Sequence, residues 1–538
     1  MNRRTIVILG GALSGPAAAT RARELDEHAR IILVERSRAV SYAQCALAYA
    51  ISGEVRSLDD FNRDQTGFFE SVYGIEVLTE TEVVALHPRQ HSVTLRSRGS
   101  DQRLSYDALV FALGAGSRFP ERLPRARNVV SFRTLDDLAA IEHHIAKPGC
   151  RVTVIGGGPF GLEAADAMIQ RDADVTVVES SARILNGFGL TIGRDAQANL
   201  RRHVTLYTST SIESGDLDGD TLARIHLSGK SVIETDLAIA AIGIEPRTAL
   251  AREAGIELGS DGTIIVDEMA RTSSPDIFAC GVCVSVPDAL GLAPIWSPQA
   301  ALADKTAQVA GANAAGAAMR LSPTTSTVLV RVAGKTYGRC GSPTARERAR
   351  RTLVVAPATE PYMRDACSML VELLWDERSG RVLGVECAGT RGVDKRIDVV
   401  ATAIVGGLTI DQLAMLDFGY EPPSNAARDP VNVAATVAMH ERDELGVSVF
   451  ADDLAGIAGA QILDVRDGGE PIDGTRSFPL ASLRHRLSEL DPSLPVVTVS
   501  QTGRRGWIAS RILRQRGFAE VMNLAGGMDA WQLLQRTD

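Results

Sequence analysis

Arg151-Val-Thr-Val-Ile-Gly-Gly-Gly-Pro-Phe-Gly-Leu-Glu-Ala-Ala165 is the stretch that decides the fold. Val152 to Ile155 form a short β-branched run, as expected of a parallel strand buried on both faces. Gly156, Gly158 and Gly161 then make a turn with the spacing Gly-x-Gly-x-x-Gly. A helix follows, with Pro159 in its first turn, where a missing N–H costs nothing. The next strand, Val175-Thr-Val-Val-Glu179, ends in an acid. Strand, glycine turn, helix and acid-terminated strand together form a dinucleotide-binding unit. The glycines let the backbone approach a pyrophosphate, the helix N-terminus stabilises its charge, and the acid accepts bonds from ribose hydroxyls. Glu179 favours the free 2′-hydroxyl of NADH over the 2′-phosphate of NADPH. Arg183 is close enough in sequence to blur that preference.

A second unit of this kind precedes it. Thr5-Ile-Val-Ile-Leu9 leads into Gly10-Gly-Ala-Leu-Ser-Gly15, then Pro16-Ala-Ala-Ala, and Ile31-Ile-Leu-Val-Glu35 ends in an acid. Ala12 takes the place of the middle glycine. Tyr106-Asp-Ala-Leu-Val-Phe-Ala-Leu-Gly114-Ala is a further strand ending in a glycine. Two units imply two dinucleotides. Shortly after the first acid comes Ser41-Tyr-Ala-Gln-Cys-Ala-Leu-Ala-Tyr49, with Cys45 at its centre. A cysteine between two dinucleotide units points to electrons leaving a nicotinamide, crossing a flavin and arriving at sulfur.

The chain has 538 residues, enough for several domains, and is 45% hydrophobic and 23% charged, an ordinary globular composition. A net charge of −9 argues against a general nucleic-acid binder. Seven scattered cysteines read as reduced and cytoplasmic rather than as a disulfide framework. Cys280 and Cys283 form one Cys-x-x-Cys with no second pair at zinc spacing, so no metal is expected and two small buried residues are. No apolar run is long enough to span a membrane.

The order of motifs resembles that of the two-dinucleotide flavoprotein disulfide reductases, in particular the single-cysteine branch. Thr272-Ser-Ser-Pro-Asp-Ile-Phe-Ala-Cys-Gly281 resembles the segment that returns to the flavin. Gly392-Val-Asp-Lys-Arg-Ile-Asp398, Tyr420-Glu-Pro-Pro and Arg428-Asp-Pro-Val-Asn432 resemble parts of a dimerisation domain. Ser41-Tyr-Ala-Gln-Cys45 looks most like the coenzyme A disulfide and persulfide reductases. The resemblance implies FAD beside Cys45, NADH or NADPH on the other ring face, and a thiol-derived substrate, coenzyme A among the candidates. It implies cofactor contacts from Gly10, Gly11, Ala12, Gly15, Glu35, Arg36, Ser41 and Gly114 in the first unit. In the second it implies them from Gly156, Gly158, Gly161, Glu163, Glu179 and Gly243, with Gly281 and Val282 completing the flavin site. Ser41, Gln44, Arg21 and Arg23 would meet the substrate, and Tyr362 and Tyr420 would reach the site of the other subunit of a homodimer. Glu24 stands where a basic residue is expected near the coenzyme A phosphates. Val282 replaces an aspartate that bonds the flavin ribityl chain, a loss of roughly 1.5–3 kcal/mol if nothing replaces it. The flavin and a nearby helix N-terminus are expected to lower the pKa of Cys45.

The C-terminal stretch resembles a rhodanese domain. Gln461-Ile-Leu-Asp-Val-Arg466 and Pro495-Val-Val-Thr-Val499 read as strands, Ser500-Gln-Thr-Gly-Arg-Arg505 as the active-site loop, and residues 507–516 as a helix. Ser500 stands at the position of the rhodanese cysteine, so no sulfurtransferase activity is expected; docking of a protein, binding of an anion or a structural role remains. Residues 441–459 read as a charged linker into this domain.

The expected fold class is α/β: two Rossmann-like dinucleotide-binding domains, an α+β dimerisation domain and a C-terminal α/β rhodanese-like domain. The limits read are 1–115 and 245–325 for the FAD domain, 116–244 for the NAD(P)H domain, 326–440 for dimerisation and 455–538 for the last. The expected reaction is reduction of a low-molecular-weight disulfide, persulfide or polysulfide by NAD(P)H through FAD and Cys45. Two alternatives stand beside it: an NADH oxidase or peroxidase cycling Cys45 through sulfenic acid, and a redox-sensing or docking protein without turnover.

Overall fold

The computed structural model describes residues 3–55, 66–470 and 472–535. The chain divides into two units, Met1–Ala182 with His203–Thr324, and Arg183–Arg202 with Thr325–Asp538.

The first unit holds two parallel five-stranded sheets. One runs Ile277–Ala279, Ala108–Phe111, Thr5–Leu9, Arg30–Val34, Glu76–Leu78. Ile6, Val7, Ile8 and Leu9 are fully buried, as a central parallel strand covered on both faces requires. The other runs Thr205–Tyr207, Asp174–Val178, Arg151–Ile155, Leu237–Ala240, Val129–Val130. In each sheet the glycine turn follows the central strand, at its C-terminal edge, where open α/β sheets bind ligands. Helix Ser14–Leu25 leaves the first turn and packs on helix Ala300–Ala314; helix Pro159–Ile169 leaves the second.

The second unit holds an antiparallel sheet and a parallel one. The antiparallel sheet runs Val328–Val332, Lys335–Cys340, Val382–Gly389, Ser368–Trp375, Arg350–Pro357. Helices Val393–Val405 and Pro430–Arg442 pack on it. Helix Leu190–Leu200, which in sequence interrupts the second dinucleotide unit, also packs on this sheet. The parallel sheet runs Val447–Val449, Val521–Leu524, Val496–Val499, Gln461–Asp464, Arg476–Ser477. It therefore begins inside the stretch read as a linker. Val447–Val449 is three residues long and its first residue is exposed, so no apolar run announces it. The helix after the Ser500 loop is Arg504–Gln515, starting three residues earlier than read. Among the described residues no helix is long and apolar enough to cross a membrane.

Candidate active site: two glycine turns and one exposed cysteine

The two glycine turns are built alike, bond for bond. Gly10 and Gly156 have φ of +108° and +113°, and each N–H donates to the neighbouring strand end, Val34 O or Val178 O, at 2.8 Å. A Cβ on either would lie 2.4 Å from a carbonyl oxygen, of Ala112 or Ala241, so only glycine fits. Gly15 and Gly161 sit where a Cβ would meet the Gly10 or Gly156 carbonyl oxygen at 1.7 or 2.0 Å. That contact lets each helix start against its own strand. At Gly158 an added Cβ would meet nothing within 4 Å, so the equivalent Ala12 is accommodated.

The acids close the turns. The Gly11 N–H donates to Glu35 Oε2 at 2.6 Å and the Ser37 N–H to Glu35 Oε1 at 2.8 Å. The Gly157 N–H donates to Glu179 Oε2 and the Ser181 N–H to Glu179 Oε1, both at 2.7 Å. Both Glu35 oxygens and Glu179 Oε2 keep a second lone pair for a ribose hydroxyl, whereas Glu179 Oε1 also accepts the Ser180 hydroxyl at 3.3 Å. Arg183 donates to the Gly189 carbonyl at 3.0 Å, so the cation set against Glu179 in the sequence is already engaged. Each of these two turns is built to take the pyrophosphate of a dinucleotide.

Ser41 ties the cysteine segment to the first turn. Its N–H donates to the Gly11 carbonyl at 2.7 Å, and its φ of +57° is a left-handed conformation uncommon outside glycine. Cys45 follows in the 3₁₀ turn Gln44–Ala46, just before helix Leu47–Ile51. Of the seven cysteines only Cys45 is exposed. Although it keeps an open face, the packing behind it pushes its thiol above the ordinary value, and the Glu163 carboxylate adds to the rise. The chain's own residues thus do not lower this thiol, and the helix after it has only five residues; the expected lowering is left to the bound flavin.

Helix Leu47–Ile51 packs on helix Pro159–Ile169, which carries Glu163. Burial, and then the charge of Asp166, push the Glu163 carboxyl up to about 7. In the unfolded chain a glutamate ionises near pH ~4.3. The stability that a protonated Glu163 contributes is full below that value and is lost as pH rises through about 7. Glu163→Gln is expected to flatten the fall in Tm between pH 5 and pH 8, measured by differential scanning fluorimetry; an unchanged fall would contradict it.

Arg133, Tyr42 and Arg247 were not foreseen in the sequence. Arg133 Nη2 donates to Gln44 Oε1 at 3.3 Å, and the Tyr42 hydroxyl is also hydrogen-bonded to Gln44. Burial and the neighbouring Arg247 guanidinium hold Arg133 below its usual value. Arg247 in turn feels Arg36 and Glu35. Arg247 beside the acid of the first turn, with Arg133 next to it, suits an anionic cofactor. Arg133 and Arg247 lie 88 and 202 residues from Cys45 in the chain, and no local pattern marks them.

Other expected residues are placed as follows. Gly281 has φ +79°, its N–H donates to Thr306 Oγ1 at 2.9 Å, and an added Cβ would lie 2.5 Å from Ser14 Oγ. Val282 is half-buried, and its carbonyl accepts from Trp296 Nε1 at 2.8 Å. Gly114 and Gly243 have φ of +64° and +118°; their carbonyls accept from the Arg247 and Arg118 N–H groups. Arg21 Nη1 pairs with Glu24 at 2.7 Å. Arg23 is not free to meet a substrate phosphate, contrary to expectation. It is buried and donates to the carbonyls of Asp26, Glu27, Ala29, Tyr73 and Gly74, satisfying chain ends after two helices. In the second unit the Tyr362 and Tyr420 hydroxyls meet at 3.4 Å, and Tyr420 donates to Glu360 at 3.2 Å; both rings are exposed. Cys280 and Cys283 are fully buried, with Cys283 Sγ donating to the Cys280 carbonyl at 3.1 Å.

The chain is similar to known proteins over most of its length. The structure of an NAD-dependent persulfide reductase from A. fulgidus is 33% identical, with a TM-score of 0.93 over 98% of this chain and 100% of that one. Reduced CoADR-RHD of Bacillus anthracis is 29% identical, with a TM-score of 0.94 over 99% and 98%. An NADH oxidase of Methanocaldococcus jannaschii is 27% identical over 80% of this chain and 98% of its own length. Residues 450–534 match the rhodanese-like domain. Residues 4–322, which hold both glycine turns and Cys45, match the pyridine nucleotide-disulphide oxidoreductase family, and the chain belongs to it.

Proposed function

We propose that the chain carries two electrons from NADH or NADPH, by way of FAD, to the sulfur of Cys45, and so reduces a low-molecular-weight disulfide, persulfide or polysulfide. The observation that carries this reading is the exposed Cys45 on a turn bonded through Ser41 to the first dinucleotide turn. The likeness over nearly the whole chain to a persulfide reductase and to CoADR-RHD supports it. The Cys45 thiolate attacks one sulfur of R–S–S–R′; that bond breaks, R′–S⁻ leaves, and Cys45–S–S–R forms. Two electrons and one proton return Cys45 to the thiolate and release R–SH. With a persulfide R–S–SH, hydrosulfide is the leaving group. FAD, when bound, supplies the two-electron link between nicotinamide and sulfur.

Ser41 and Gln44 would face the substrate, a coenzyme A disulfide or persulfide in the first instance, and NADH is favoured through Glu179. A cytoplasmic homodimer, with Tyr362 and Tyr420 of each subunit serving the other's site, completes the reading. NADH consumption with coenzyme A disulfide, with coenzyme A persulfide and with oxygen alone tests it. Turnover with oxygen alone, and none with the sulfur substrates, would favour the oxidase reading that the M. jannaschii relative suggests.

The rhodanese-like domain acts without sulfur transfer. Ser500 is buried, and its Oγ accepts the Gly506 N–H at 3.0 Å, at the mouth of the loop that leads into helix Arg504–Gln515. A hydroxyl there is not acidic enough to ionise and carries no sulfane sulfur. Ser500→Cys is expected to gain thiosulfate-to-cyanide sulfur transfer that the wild type lacks, measured as thiocyanate. Equal activity in both proteins would contradict the assignment.

A further inference from the structure

Glu372 and Glu386 are direct cross-strand partners in the antiparallel sheet, and Arg339 opposes Glu386 from the strand on its other side. Glu372 is fully buried and Glu386 nearly so. Like charges so placed repel. Arg346, from the turn Pro343–Glu347, bonds both carboxylates, one nitrogen to each. Glu372 Oε2 is left buried without a partner. One guanidinium thus bridges two acids. Burial pushes Glu386 up to about 7; Glu372 adds to the rise, and Arg346, the Gly189 N–H and Arg339 oppose it. Arg183 lies within the same field, as do the thiols of Cys340 and Cys387, which burial keeps neutral.

The other oxygen of Glu386 holds a different part of the chain. The Gly189 N–H donates to Glu386 Oε2 at 2.6 Å. Gly189 caps helix Leu190–Leu200, so its N–H lies outside the helix's own ladder. A Cβ there would lie 2.0 Å from Arg346 Nη2, so glycine permits the approach. The same segment is fastened by Lys335 to Asp195 at 2.5 Å and by Asn199 Nδ2 to the Val332 carbonyl at 3.0 Å. In the chain it runs on directly from Glu179-Ser-Ser181, the acid end of the second dinucleotide strand.

We propose that Glu386, paired with Glu372 across Arg346, is a proton-controlled latch for segment Arg183–Arg202. Ionised, Glu386 accepts the Gly189 N–H as a charge-assisted bond and holds the segment to the sheet. Taking one proton from solvent, it keeps only a neutral bond and the segment loosens. The latch rests on bonds within the second unit and not on the reaction proposed above. The test is hydrogen exchange of the Gly189 amide in the full chain, resolved by mass spectrometry and corrected for the intrinsic rate. Protection is expected to be roughly 5-fold lower at pH 6 than at pH 8. Glu386→Gln should show the low protection at both values. Glu372→Gln, which removes the like charge, should keep high protection down to pH 6. Equal wild-type protection at the two pH values would overturn the proposal, as would the same drop in Glu386→Gln or an unmoved drop in Glu372→Gln.

Discussion

Cys45→Ser is expected to lower kcat/KM for a disulfide or persulfide by about 10³-fold or more, while NADH still reduces the bound flavin. The asymmetry is the point. A hydroxyl at residue 45 cannot form a mixed disulfide, so the step from flavin to substrate loses its acceptor. The two glycine turns, with Glu35 and Glu179 closing them, do not involve the Cys45 side chain. Stopped-flow absorbance separates the two half-reactions. The second half-reaction, from flavin to the sulfur substrate, should fail and the first remain. The chain itself raises the Cys45 pKa, through the packing behind it and then Glu163. Wild-type rates with a saturating sulfur substrate are therefore expected to rise with pH until the thiolate is fully formed. A variant that keeps its activity would move the chemistry to another group.

Arg396→Met is expected to destabilise the second unit by about 3–5 kcal/mol. Arg396 is almost fully buried and pairs with Asp429, equally buried, at 2.8 Å. Its guanidinium also donates to Asn425 Oδ1 and to the carbonyls of Gly392 and Ala358. Methionine has similar bulk, so the cavity term is small. What remains is a buried Asp429 without its cation, with Asn425 Oδ1 and the Gly392 and Ala358 carbonyls without their guanidinium donor. Asp429 keeps the Val431 N–H at the start of helix Pro430–Arg442. The loss corresponds to a fall of roughly 6–20 °C in the melting of a unit of this size. Calorimetry of Arg396→Met, Asp429→Asn and the double variant checks it. The double variant should cost less than the two single losses added together, because the neutral amide leaves no buried charge behind. Simple additivity would mean that the two side chains do not act as a pair.

The legible parts of the chain were those whose physics is local. Residues 6–9 and 152–155 declare themselves because a strand covered on both faces reads as a run of apolar and β-branched residues. The glycines declare themselves because a positive φ and a carbonyl 2.4 Å from the missing Cβ admit nothing else. Strand Val447–Val449 stayed hidden because three residues, one of them exposed, carry no period. Arg133 and Arg247 stayed hidden because only the folded chain brings them to Gln44 and Glu35. Arg23 misled for the opposite reason. A basic residue on a surface-like helix reads as a phosphate contact, and only burial reveals that its donors are spent on five carbonyls.

The proposed path takes electrons from a nicotinamide through FAD to Cys45. It is tested most directly by an anaerobic NADH titration of the FAD-loaded protein, followed at the flavin's visible absorption band, with a disulfide or persulfide then added. Bleaching by NADH and return of the band on addition of the sulfur substrate are expected in the wild type, with bleaching but no return in Cys45→Ser. A protein that takes up no FAD, or a band that returns equally in both proteins, would contradict it.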